Sequence, residues 1–348
     1  MTKAISQHLP ILEHGGDLAA ARTRFPGAPE PFIDLSTGIN PFSYVLAEVP
    51  AQTLTRLPQP ADLARLAAIA AQAYGAPSPA HVVPAPGMQI LLAMVAGLVP
   101  LARAAVLAPT YAEHARVAGL VGHKVEEAAH VDQLEEAGLA VVVNPNNPDG
   151  RIVQKKRLLE LAGKLRAGGG LLIVDEAFMD VGPREESLAG EVCSNIVVLR
   201  SFGKFFGLPG VRLGFALAAP ERAARLAALL GPWPVSGTAL AMGQAALADA
   251  EWAQAMREQL RLAADRLDAM LKGARLEVIG GTPLFRLAHT PAAADLFDSL
   301  GRAGIFVRRF AEHPTWLRFG IPGYEEAWAR LAKTITESEQ HNHGSERF

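Results

Sequence analysis

The chain has 348 residues, half of them apolar and a fifth charged, which excludes global disorder and leaves room for two domains. Its 33 Lys and Arg stand against 35 Asp and Glu, a net charge of −2, so no sequence-wide field draws in nucleic acid. A single cysteine, Cys193, excludes an intramolecular disulfide and reads as a small core residue. The first residues show no cationic stretch followed by an apolar run, as a signal peptide would. The longest apolar stretch, 88–102, is broken by Gln89, Gly97 and Pro100 and is shorter than the roughly 20 residues a membrane helix needs. These features predict a soluble cytoplasmic protein with no membrane or nucleic-acid partner.

Residues 1–45 are rich in Pro and Gly and read as an extended arm. A helix is predicted over 61–74, with Asp62 near its start and Gly75 just after its end. Strands and helices then alternate: a helix over 88–99, a strand over 104–108, a helix over 111–121 and a strand over 139–143. A helix over 154–167 stops at three glycines, and strands follow at 171–174, 196–199 and 213–217. Continuous apolar strands separated by helices predict an α/β fold with a mostly parallel sheet covered on both faces. After Pro220 the pattern changes to long helices over 220–231 and 238–272. Short strands follow near 276–279, 283–288, 305–307 and 316–321, and a helix over 324–337. The predicted organisation is an arm (1–45), a large domain (46–225), a smaller α+β domain (226–340) and a polar tail (341–348).

Three segments follow predicted strands, where ligands bind in α/β sheets. The first, Asn-Pro-Asn-Asn-Pro-Asp-Gly at 144–150, displays amides on a rigid turn, although the same residues also make ordinary turns. The second places Asp175 and Glu176 at the end of a buried strand. There a carboxylate needs a positive partner, unless it merely caps the next turn. The third surrounds Lys204 with Phe202, Phe205 and Phe206, between Ser201 and Arg212. Burial lowers a lysine's pKa and makes it nucleophilic, and a Ser/Arg pair suits a phosphate. An amine for an aldehyde, an acid for a ring nitrogen and donors for a phosphate together match what pyridoxal 5'-phosphate requires. No glycine fingerprint of a nicotinamide enzyme or P-loop NTPase is present.

The segment SFGKFFGLPGVRLGF resembles the cofactor-lysine signature of fold-type I pyridoxal-phosphate enzymes of the class I/II aminotransferase group, and NPNNPDG and VDEAF resemble its other two signatures. Within that group the chain is similar to histidinol-phosphate aminotransferases and threonine-phosphate decarboxylases. The arm, with HGGD at 14–17 and IDLSTGINP at 33–41, resembles the second, the decarboxylases of cobalamin biosynthesis. The resemblance implies a homodimer that decarboxylates a phosphorylated amino acid, with an aminotransferase as the alternative. A non-catalytic pyridoxal-phosphate regulator is more remote, since no helix-turn-helix segment precedes the fold.

The resemblance implies a role for each matching residue. Lys204 carries the cofactor, Asp175 pairs with its ring nitrogen, Asn147 contacts its ring hydroxyl and Tyr111 stacks on the ring. Gly87, Met88 and Gln89 hold its phosphate at a helix N-terminus, helped by Ser201 and Arg212. Arg318 holds the substrate carboxylate and Arg308 its phosphate, with His14 as helper, and Asn40 lines the substrate site. The chain departs from the family's pattern at Phe178, where many relatives have Tyr, at Gly203, where Ser is common, and at 56–59, which lacks an interface tyrosine. His81, His114, His123 and His130 show no metal-ligand spacing and read as structural or surface residues, so no metal is expected. Trp233 reads as a packing or arm residue near the site, and the two tail histidines as part of a frayed terminus.

Overall fold

The computed structural model describes residues 14–45 and 48–345, with side chains to 339. Among the described residues twelve strands form two sheets. In chain order they are β1 (Ile33–Leu35), β2 (Val82–Ala85), β3 (Arg103–Leu107), β4 (Lys124–Ala128), β5 (Leu139–Val143), β6 (Leu171–Asp175), β7 (Ile196–Ser201), β8 (Gly214–Leu217), β9 (Glu277–Thr282), β10 (Phe285–His289), β11 (Ile305–Phe310) and β12 (His313–Gly320). The large sheet has the order β2-β8-β7-β6-β5-β3-β4. Its strands β4, β3, β5, β6 and β7 run parallel, while β8 is antiparallel to both β7 and β2. Strands β5 and β6 are buried along their whole length, as apolar runs covered on both faces require. Parallel strands place the segments after β3, β5, β6 and β7 at one edge, where 109–111, 144–150, 175–178 and 201–204 converge.

The small sheet has the order β1-β11-β12-β10-β9. Its first strand comes from the region expected as an extended arm. Ile33 to Leu35 pair in parallel with Ile305 to Val307, and the helix Leu18–Arg24 packs Ala21 and Phe25 into the same apolar cluster as Leu300 and Val307. At Gly301 a Cβ would lie 2.2 Å from the Phe25 ring, so glycine admits that side chain. The helix Gly237–Ala248, expected in the small domain, instead packs on the large one: a Cβ at Gly243 would meet Leu213 and Leu66. The helix Ala250–Gly273 spans both cores, with Leu260 in one and Leu267 and Leu271 in the other. The closing helix Glu325–Ser345 continues past the expected start of the tail. Among the described residues no helix is long and apolar enough to cross a membrane.

Candidate active site

Lys204 lies in the short helix Phe202–Phe205 directly after β7. Phe202 and Phe205 are fully buried and fix this turn, and the Lys204 Nζ sits 5.8 Å from the centre of the Phe178 ring. Burial, reinforced by the Arg318 and Arg212 guanidiniums and opposed by Asp175, pushes the amine down to about 8. A Cβ at Gly203 would approach the Pro209 Cα to 2.8 Å. The close turn at 208–210 thus accounts for glycine where relatives often carry Ser.

Asp175 ends β6 almost fully buried. Its Oδ1 accepts the Ala177 N–H at 2.9 Å, and its Oδ2 lies 2.7 Å from His114 Nε2. Sequence reasoning placed His114 among structural or surface residues; the structure buries it against the acid at the centre of the site. The available signal was its closeness in sequence to Tyr111, which precedes the helix Glu113–Val121 while His114 lies in its first turn. Beneath Asp175, the Arg200 guanidinium bridges Glu176 at 2.9 Å and Asp180 at 2.5 Å, all buried, and ties β6 to β7.

The three asparagines of the 144–150 turn divide their work. Asn144 exchanges hydrogen bonds with the Val153 backbone, and Asn146 donates to Pro109 O and Asp149 and accepts from Thr110. Asn147 points to the site, where its Oδ1 accepts from Arg318 Nη1 at 2.6 Å. The other Arg318 nitrogen, Nη2, donates to Ser36 O at 2.7 Å. Arg318 pairs in register with Arg308 across β11 and β12. Burial and Arg308 together push Arg318 down to about 10, with Asp34 opposing. Arg308 thus stands near enough to act on the Arg318 charge, and two arginines at paired positions suit anionic groups.

Gly87 precedes the helix Met88–Ala96 with φ +87, and no side chain caps the helix start. The N–H groups of that first turn lack helical partners. A Cβ at Gly87 would lie 2.7 Å from Arg212 Nη2, and one at Gly214 would lie 2.4 Å from Met88 N. The glycines therefore leave an open helix terminus beneath a guanidinium, a cradle that fits a phosphate. With the depressed amine of Lys204 and the buried Asp175 beside it, this donor set fits pyridoxal phosphate. Tyr111 stands at the same edge, its hydroxyl donating to Gln89 Oε1 at 3.1 Å. Burial, then Glu113 and Asp175, push its phenol up to about 12.

A model of the family described as aminotransferase class I and II matches residues 32–335. The chain belongs to that family. It is 44% identical to a threonine-phosphate decarboxylase of Sinorhizobium over 336 residues, covering 95% of this chain and 99% of the relative. Identity to a threonine-phosphate decarboxylase of Pseudomonas aeruginosa is 42% over 327 residues, covering 92% and 96%. Among solved structures, the histidinol-phosphate aminotransferase of Sinorhizobium meliloti, in complex with pyridoxal-5'-phosphate, superposes with a TM-score of 0.81 at 20% identity and 98% coverage of each chain. That likeness shows the aminotransferase fold.

Two expected substrate residues sit differently from the rest. Asn40 was expected to line the substrate site, yet it is buried and its side chain is turned to backbone: Nδ2 donates to Phe205 O at 2.8 Å and Oδ1 accepts from Phe42 N at 2.8 Å. Its own N–H donates to Lys204 O at 2.9 Å, so it anchors the turn that carries the lysine. His14 reaches the site edge, but its Nε2 lies 3.3 Å from Glu113, a residue that sequence reasoning did not single out. Trp233 is half-exposed with φ 56 rather than packed into the site.

Proposed function

We propose that this chain decarboxylates L-threonine O-3-phosphate to (R)-1-amino-2-propanol O-2-phosphate and carbon dioxide in cobalamin biosynthesis, using pyridoxal phosphate. The observation that carries the reading is near-full-length identity of 42–44% to two threonine-phosphate decarboxylases. The adjacent Arg308 and Arg318 support it, since a substrate with two anionic groups needs two cationic anchors.

In this reading Lys204 bonds the cofactor, Asp175 faces its ring nitrogen, Asn147 its ring hydroxyl and Tyr111 its ring face. The N–H groups after Gly87, with Ser201 and Arg212, hold its phosphate. When bound, the cofactor supplies an electron-poor ring that takes up the electron pair of the bond broken at the substrate Cα. His114 holds the Asp175 carboxylate in place, and Asp175 keeps a proton on the ring nitrogen. Arg318, oriented by Asn147 and Ser36, binds the substrate carboxylate and fixes which bond is broken. Lys204, released from the cofactor as the substrate amine takes its place, would return a proton to Cα once carbon dioxide has left; an amine pushed down to about 8 both gives and takes a proton near neutral pH. Phe178 leaves the ring hydroxyl to Asn147 alone.

A homodimer belongs to the same reading. It is supported by the exposed apolar side chains of Leu57, within the segment 56–59, and Leu54 just before it. A cytoplasmic location belongs to the same reading. The substrate assignment is tested by comparing threonine with threonine phosphate on wild type and Arg308→Ala. Wild type should strongly prefer the phosphate ester, and Arg308→Ala should raise its KM about ten- to a hundredfold, as loss of a charged hydrogen bond does. Equal use of both substrates by wild type would refute the phosphate pocket.

A further inference from the structure

The segment 14–17 crosses from one domain to the other. Its C-terminal end leads into the helix Leu18–Arg24 of the small domain. Its first residue, His14, meets Glu113 at the start of a large-domain helix. Glu113 is a buried carboxylate in an otherwise polar edge of the site, 5% exposed, and such a charge persists only with partners. It has three. Oε1 faces His14 Nε2 at 3.3 Å, while Oε2 accepts from Gln89 Nε2 at 2.9 Å and from Arg116 Nη1 at 3.2 Å. Gln89 belongs to the open helix terminus and in turn accepts the Tyr111 hydroxyl. One carboxylate therefore joins the arm, the phosphate cradle and the stacking residue.

The arm's other attachment is equally specific. The Gly16 N–H donates to Ser36 Oγ at 2.7 Å, and a Cβ at Gly15 would lie 2.3 Å from Ser36 O. That same Ser36 oxygen accepts from Arg318 Nη2. The two glycines let the backbone lie on the residue that orients Arg318, and His14 then projects to Glu113. His14 stays half-exposed, its ring centroid 5.9 Å from that of Tyr111, with one ring nitrogen committed to Glu113.

We propose that Glu113 is a positioning residue that latches the N-terminal arm across the mouth of the active site, holding His14 in place for the substrate while fixing Gln89 and Tyr111. The substrate part rests on the function proposed above; the latch itself does not. Glu113 binds neither cofactor nor substrate in this account and acts through the residues it holds.

The test is a double-mutant cycle on the cofactor-loaded enzyme with His14→Ala, Glu113→Gln and the double variant. Hydrogen exchange of the amides at 15–17, measured without substrate, reports the latch. Each single variant should speed exchange about two- to fivefold, as loss of one partly exposed hydrogen bond does, and the double no further. The KM for threonine phosphate should follow the same non-additive pattern. Multiplying effects, or unchanged exchange in either single variant, would overturn the latch. If Glu113→Gln fails to fold, His14→Lys decides: an N–H donor kept at that position should retain more protection than His14→Ala, and equal loss in both would overturn the proposal. Exchange is read without substrate, so a protein indifferent to threonine phosphate would refute the function and leave the latch measurable.

Discussion

Replacing Lys204 by Met removes a partly buried amine while keeping most of its length, and the effect on stability should depend on pH in a defined window. Held at about 8 instead of 10.5, the protonated amine costs the cofactor-free fold up to about 3 kcal/mol. Below pH 8 the amine is protonated in folded and unfolded chains alike, and the cost is present in full. Between pH 8 and 10.5 the folded chain has released a proton that the unfolded chain still binds, so stability rises with pH. Above that window both forms are neutral and the cost is gone. Urea unfolding of cofactor-free wild type and Lys204→Met at pH 7 and pH 10 gives the comparison, because other titrating groups cancel in the difference. Lys204→Met should be more stable at pH 7 by up to about 3 kcal/mol, with most of that gap closed at pH 10. A gap that stayed constant or widened with pH would refute burial and the two arginines as the origin of the depressed amine.

Arg200→Met leaves Glu176 and Asp180 buried without their cation and should cost about 3–5 kcal/mol in urea unfolding; a loss below about 1 kcal/mol would mean that water compensates both acids. His114→Phe removes the Nε2 partner of Asp175 and should lower kcat about ten- to a hundredfold, the worth of a hydrogen bond to a charged group, with His114→Gln recovering part of it. Equal activity of His114→Phe and wild type would show that Asp175 is held without the imidazole.

Strands β3, β5, β6 and β7 were legible because each is a continuous apolar run between turn signals. The two edge strands were not. Strand β2 contains Pro84, tolerated there because an edge strand needs fewer backbone donors, and β4 reads Lys-Val-Glu-Glu-Ala with most of its length solvated. Strand β1 is three residues long and pairs with residues some 270 positions later, so no local pattern announces it. At the site, Lys204, Asp175, Asn147 and Arg318 stood in recognisable segments. His114 and Glu113 gain their meaning only from partners 61 and 99 residues away, Asp175 and His14. Asn40 shows the converse: its place in a conspicuous segment says nothing of the backbone groups at 42 and 205 that its side chain bonds.

Product stoichiometry on threonine phosphate tests the proposed chemistry most directly. Purified protein loaded with pyridoxal phosphate is incubated with the substrate, no oxo-acid present, and carbon dioxide and amine phosphate are counted over many turnovers. The account predicts one carbon dioxide and one aminopropanol phosphate per substrate consumed, continuing well past one equivalent of enzyme. Consumption that stops near one equivalent, resumes only when an oxo-acid is added and releases no carbon dioxide would contradict it and identify an aminotransferase.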